Sequence, residues 1–362
     1  MGDATGKLPL EGVRVLEAGT LLAGPFTGRL LADFGAEVIK IEPPDRVDPM
    51  RTWGQQMDGH GLWWPIQSRN KKSVTLNLRV KEGQQIFQEL VRKSDVIIEN
   101  FRPGTMEKWD LSYERLAEIN PGLIMVRTSG FGQTGPYRDR AGFGSIGEAM
   151  GGLRYVTGFP DRPPTRIGIS IGDTLAALFA AIGCLTALHE RNASGKGQVV
   201  DTALYEAVFA VMESIIPDYQ LAGYVRERMG NILPGVAPSN IYSTKDGTYV
   251  VIGANADTVF RRLCRAMSQP ELADDPKYAT HQARSENMKE LDLLIESWAK
   301  TLDAKECLAI LEEHGVPSGL IYSVREMVED PHYQDREMIV KVEQPVFGEF
   351  PMPGIVPKLS RT

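Results

Sequence analysis

Few residues in this chain are placed to do covalent chemistry, and the best placed is an aspartate. In TRIGISIGDTLAALFAAIGCLTALHER, residues 165–191, a short β-prone run meets Gly172, then Asp173, then a long stretch of strong helix formers. Leu175, Leu178, Phe179, Ile182, Leu185 and Leu188 recur at spacings of three and four, the pattern of one apolar helix face. Asp173 thus stands where an N-cap belongs, its carboxylate aimed at the unpaired amides of the first turn. The same position would also present a carboxylate nucleophile on a tight turn. Local pattern alone favours the cap.

Other chemistry has thinner support. His60, His189, His281, His314 and His332 show no HxxxH or HxxE spacing, so no metal site is expected. There is no GxSxG elbow, and Cys184, Cys264 and Cys307 lie far apart with no CxxC pair, as packing residues do. GFGQTG at 130–135, which includes Gly132 and Gln133, has the spacing of a dinucleotide fingerprint and follows a strand. Pro136 comes directly after it, so no helix N-terminus is available for a pyrophosphate, and a glycine-rich active-site loop is the better reading. Lys71, Lys72, Arg79, Arg102 and Lys108 form a basic cluster that is either a solvated face or a seat for phosphates.

A net charge of −7 argues against nucleic acid or an anionic membrane as the main partner. The sequence reads as having no apolar run of membrane-spanning length. MGDATGKLPLEG at the start is polar and lacks the apolar core of a secretory signal, so the expected compartment is the cytoplasm.

The elements around Asp173 read as an α/β body. Strand 13–17, helix 26–34 and strand 36–42 make a βαβ unit, which demands a parallel sheet covered by helices. The alternation continues with strand 73–78, helix 81–93, strand 95–99, helix 113–118 and strand 123–128, then a short helix at 146–153 and strand 198–201. This is a Rossmann-like parallel sheet in a large domain. A long helix at 205–224 leads away to a smaller α+β domain. That domain has a hairpin at 241–252 turned by Asp246 and Gly247, then helices at 257–268, 287–301 and 304–314. Strands at 317–324 and 339–353 are expected to return to the large domain. The expected division is 1–215 with 320–362 against 225–318, joined by connectors near 205–235 and 315–330.

Nine segments then fall into a familiar order: LEGVRVLEAGTLLAGP, LLADFGAEVIKIEPP, RNKKSVTLNLR, DVIIENFRPGTMEKWDL, GFGQTGPYRDRAGF, IGDTLAAL, GKGQVVDTALYEA, YSTKDGTYVVIGA and HGVPSGLIYSVREMVEDP. Together they resemble the class III CoA-transferase family, which includes formyl-CoA:oxalate and carnitine CoA-transferases and the related α-methylacyl-CoA racemases. The resemblance makes Asp173 the nucleophile of a ping-pong exchange through an anhydride and an aspartyl–CoA thioester, in place of the cap that local pattern favours. It puts the CoA contacts on Leu76, Arg79, Asn100, Phe101 and Lys108. Active-site loops would carry Thr20, Leu22, Gly132, Gln133, Gly230 and Asn231. CoA and acyl-CoA would be substrates, alongside a small carboxylic acid, with no tightly bound cofactor and no metal. Interlocked ring-shaped subunits forming a homodimer are implied, and family members usually continue past Thr362 with a helical segment.

Departures from the family pattern narrow the reaction. Leu22 replaces a glutamine of the formyl-CoA enzymes, Pro43 replaces their adenine-side arginine, and Arg228-Met229-Gly230-Asn231 stands where their glycine tetrad would be. All three point away from formyl-CoA:oxalate exchange. The racemase branch needs a histidine after an R-A-G turn, whereas Phe143 follows Arg140-Ala141-Gly142 here and cannot carry a proton. A non-catalytic CoA-binding protein on the same scaffold is the alternative from another class. Arg154 and Arg166 flank the Asp173 segment. One of them would hold the distal carboxylate of a dicarboxylic acid such as succinate, unless both are surface arginines.

Overall fold

Strands whose apolar runs are continuous rather than alternating must be covered on both faces. In the computed structural model, which describes residues 7–362, six strands form the sheet of one compact unit, with continuous apolar runs at its centre and a polar, exposed strand, KKSVT, at one edge. They are β1 (Arg14–Glu17), β2 (Glu37–Glu42), β3 (Lys71–Thr75), β4 (Val96–Glu99), β5 (Ile124–Ser129) and β6 (Val199–Ala203). All pair in parallel, in the order β3-β2-β1-β4-β5-β6, which is the doubly wound order with its reversal between β1 and β4. The helices that matter to the site are α1 (Ala23–Asp33), α2 (Lys81–Val91), α3 (Gly144–Met150), α4 (Ile171–Ser194) and α5 (Leu204–Phe209). Val15, Val38, Val96, Ile98, Ile124 and Val126 pack with Leu31 of α1 and with Ala180 and Cys184 of α4. Their chain neighbours Leu16, Ile97, Leu123 and Met125 pack with Phe87 and Val91 of α2. Alternate residues thus serve opposite layers.

Helix α4 departs from expectation in three ways. It starts at Ile171 with Ser170 as N-cap, so Asp173 occupies the third helical position and is not the cap. Its buried stripe is Ala176, Ala177, Ala180, Ala181, Cys184 and Ala187, while Leu178, Phe179, Ile182 and Leu185 are 36–58% exposed. Both stripes satisfy a spacing of three and four, and the small one wins because it lets the helix approach the sheet and α1 closely. The helix is also long and apolar enough to cross a membrane by length and composition, with a mean hydropathy of 1.8 over its best window, contrary to the sequence reading. Its alanine stripe is nonetheless committed to the sheet.

The unit comprises the chain up to Arg154, Ile167–Ser214 and Glu337–Thr362. Its last segment is an antiparallel hairpin, Ile339–Gln344 with Gly348–Pro353, that among the described residues pairs only with itself and does not extend the large sheet. The helix expected at 205–224 is two helices, α5 and Ile215–Ala222, because Glu213 between them takes φ of 53°, which an α-helix cannot carry.

The second unit comprises Tyr155–Arg166 and Ile215–Arg336. Strands Ser239–Ser243 and Tyr249–Gly253 form the anticipated hairpin, with Gly247 at φ 76° in its turn. The strand expected at 317–324 is only Ser318–Leu320, and it joins this hairpin rather than returning to the large sheet. Residues 155–166 and 320–336 therefore belong to this unit, not to the first. Phe260, Leu263, Ile295 and Leu311 centre its core. Arg284 is fully buried there, donating to the carbonyls of Ala237, Tyr278 and Asn255 and to Asp257.

Candidate active site

In a doubly wound sheet, ligands bind beyond the carboxyl ends of the strands where the order reverses. Asn100 sits at that point, one residue past β4. Its amide donates to the Thr20 carbonyl and its Oδ1 accepts from the Thr20 N–H, both at 2.8 Å. Gly19 leaves room for this clamp, since a Cβ there would lie 2.7 Å from Asn100 Oδ1. Next to it, Leu21 takes φ of 64° and donates its N–H to Asp48. Lys40 Nζ donates to the Gly19 carbonyl at 2.9 Å and lies 3.2 Å from Glu17 and 2.9 Å from Asp48. Lys71 Nζ donates to the Pro25 carbonyl at 2.6 Å and lies 2.7 Å from Glu17. All four charged side chains are at most 2% exposed. Burial pulls the Lys40 ammonium down, but Glu17 and Asp48 outweigh it and hold the group above the usual lysine value. Lys71 is therefore neither a solvated charge nor a phosphate seat, as it was expected to be. Sequence reading missed Glu17, Lys40 and Asp48, although a charge inside each of the apolar strands VRVLE and EVIKIE was the available signal.

Asp173 is half-buried in the first turn of α4. Gly144, which opens α3, lies directly against it: a Cβ on Gly144 would be 2.2 Å from Asp173 Oδ2. The glycine-rich loop reaches the same place. Gly130 packs on the backbone of Gly142, where a Cβ would come within 2.8 Å of Gly142 Cα. Gly132 donates its N–H to Ser129 Oγ at 3.0 Å, and Gln133 donates its N–H to Asp201 at 2.9 Å. Ala23 shares a small apolar cluster with Ala176, Leu204 and Ala207, which brings the Thr20–Leu22 loop, with Leu22 buried, beside the start of α4. Glu148 is 1% exposed, with one oxygen 3.5 Å from the Gly172 N–H and the other accepting from Arg154 Nε and Nη2 at 3.1 and 3.0 Å. Neither Gly144 nor Glu148 was singled out from sequence.

A cleft of about 400 Å³ opens at the carboxyl ends of β2 and β3, lined by Glu42, Pro43, Asp45, Arg51 and Ser73 among others. Leu76 follows directly, donating its N–H to the Glu42 carbonyl at 2.8 Å, and Arg79 pairs with Asp45 at 3.0 Å. Burial would raise the Glu42 carboxyl, but hydrogen bonds from Arg51, the Asp48 N–H and Ser73 outweigh it and hold the group at about 2. Phe101 meets Trp109 edge-on at 5.2 Å, next to the exposed Lys108, while Arg102 and Lys72 are also exposed. Phe143 is 62% exposed. Gly230, Asn231 and Arg166 lie in the second unit, where Gly230 takes φ of 69° and donates to the Gly158 carbonyl.

The first unit thus carries a clamped loop at the switch point of its parallel sheet, an aspartate on a helix start and a glycine wall around that aspartate. The family model for CoA-transferase family III matches residues 10–362. The chain belongs to that family. The transferase is 62% identical over 355 residues to the succinyl-CoA–D-citramalate CoA-transferase of Chloroflexus aurantiacus, covering 98% of this chain and 88% of the relative. It is 43% identical over 364 residues to the alpha subunit of a succinyl-CoA–L-malate CoA-transferase from Chloroflexus aurantiacus, covering 100% and 85%. A CAIB/BAIF family protein from Brucella suis, known from its crystal structure, matches with a TM-score of 0.84 at 37% identity over 98% and 93% of the two chains. The transferase is thus an enzyme of the class III type whose substrates are CoA thioesters.

Proposed function

We propose that this transferase moves CoA from succinyl-CoA to a second dicarboxylic acid, with Asp173 as nucleophile. The observation that carries the reading is the Asp173 carboxylate on the first turn of α4, flush against Gly144. A carboxylate oxygen of Asp173 attacks the thioester carbonyl and expels CoA thiolate, leaving an acyl–aspartyl anhydride. The thiolate attacks the aspartyl carbonyl, releases succinate and leaves an aspartyl–CoA thioester. The acceptor carboxylate attacks that thioester, CoA thiolate departs, and its attack on the acceptor side of the new anhydride gives product and restores Asp173. First-turn amides of α4 and the backbone of the glycine wall suit the oxyanions formed on the way. Donor and acceptor chemistry follow the relatives, whose names pair succinyl-CoA with citramalate and malate.

Coenzyme A would lie along the strand ends, with Arg79 and Lys108 meeting its phosphates and Leu76, Asn100 and Phe101 its nucleotide end. A homodimer is supported by the exposed Leu178, Phe179, Ile182 and Leu185 of α4, a stripe too apolar to face water. Cytoplasmic residence is the compartment consistent with acyl-CoA substrates. Incubation with succinyl-CoA should leave a covalent mass adduct on Asp173, and Asp173→Ala should lose CoA exchange by about three orders of magnitude or more while retaining CoA binding. Exchange persisting in Asp173→Ala would refute the assignment.

A further inference from the structure

We infer that Arg154 is the specificity-determining residue of this site, receiving the carboxylate of the substrate remote from the reacting one. The inference rests on the dicarboxylate reading above and adds the group that enforces it. Of the two arginines flanking the Asp173 segment, Arg166 is exposed in the second unit and enters no hydrogen bond or ion pair with described residues. Arg154 belongs to the same unit as Asp173 and is held in place. Its Nε and Nη2 converge on one oxygen of Glu148, whose side chain is 1% exposed, and the other oxygen of Glu148 lies 3.5 Å from the N–H of Gly172, the residue before Asp173. Glu148 is thus a rigid spacer between the nucleophile's helix start and the guanidinium. Only one edge of that guanidinium is spent. Nη1 makes no hydrogen bond with described residues, and the side chain stays 29% exposed. A planar fork with one edge fixed and one edge open is the arrangement that takes a carboxylate in two parallel N–H···O bonds. Because Glu148 already balances the charge, an empty site is not strained by a lone cation, and an arriving carboxylate need displace only water.

The test compares succinyl-CoA with butyryl-CoA, which has the same chain length and lacks the second carboxylate. Arg154→Ala alone would strand the buried Glu148, so the working variant is Glu148→Gln/Arg154→Gln, with Arg154→Lys as a second probe that keeps the charge and loses the fork. CoA exchange into a common acceptor acid is followed, and kcat/KM for each donor is taken as a ratio. The double variant should lower the succinyl-to-butyryl preference about 30-fold, mainly through KM for succinyl-CoA, and Arg154→Lys should fall between it and the wild type. A preference within threefold of wild type in a folded, exchanging variant would overturn the role of Arg154 and leave the CoA-transfer reading intact. A wild-type enzyme that exchanges CoA with neither donor would overturn both.

Discussion

Gly144→Ala is the sharpest perturbation this site offers, because its effect on folding and its effect on chemistry should part company. The added methyl would sit 2.2 Å from Asp173 Oδ2 and 2.8 Å from its Cγ, while real Cβ contacts stay beyond 3.0 Å. The carboxylate must therefore retreat by about 0.8 Å or rotate away. The obstructed atoms are the end of a side chain, not backbone, so the fold can absorb the shift. Gly144 is the first residue of α3, where glycine's interior helix penalty barely applies, so alanine there should leave helix stability about unchanged. With Asp173 as the proposed nucleophile, catalysis has no such latitude, since a displacement near 1 Å of a reacting group costs on the order of a hundredfold in rate. Expected, then, is a nearly unchanged urea midpoint together with a kcat for CoA exchange lower by about two orders of magnitude. Exchange within threefold of wild type would show that the close approach of Gly144 does not set the position of the nucleophile.

Two further outcomes bear on the scaffold. Asn100→Ala removes both 2.8 Å hydrogen bonds to the Thr20 backbone and should cost about 2 kcal/mol in denaturant unfolding; a loss under 0.5 kcal/mol would mean the loop holds itself. Glu42, held at about 2 against an ordinary 4.5, stabilises the folded chain above pH 4.5, and that contribution fades as the pH falls through 4.5 toward 2. Glu42 itself is buried but its partner Arg51 is a third exposed and screened by solvent, so the contribution is about 1–2 kcal/mol and the stability gap between wild type and Glu42→Gln should narrow from pH 6 to pH 3. A gap independent of pH would show that the carboxylate charge is not what Arg51 and Ser73 stabilise.

How much of this was legible in the chain depended on whether the signal was local. The strands 13–17, 36–42, 95–99 and 123–128 and the turn at Asp246-Gly247 were read within a residue or so, because continuous apolar runs and turn dipeptides are local facts. The burial of α4 was misread because two stripes share one spacing, and only the neighbouring sheet decides which is covered. The break near Glu213 and the placement of the strand near 318 were likewise tertiary decisions. At the site, Asp173, Thr20, Leu22 and Asn100 carried motif signals. Gly144 and Glu148 did not, since a glycine's missing Cβ matters only when the opposing carboxylate is known.

The buried lattice of Glu17, Lys40, Asp48 and Lys71 has a consequence for how this protein can change over generations. Removing any one member leaves an opposite charge in the interior without its counterpart, at a cost of roughly 3–5 kcal/mol, a large share of a domain's stability. The four positions therefore cannot drift singly, and replacements must arrive in oppositely charged pairs that keep the loop carbonyls of Gly19 and Pro25 satisfied. Arg154 and Glu148 stand outside that lattice, with partners of their own. Because Glu148 is itself buried, that pair too can change only together, and single substitutions are nearly closed off both beneath the Thr20–Leu22 loop and beside the start of α4.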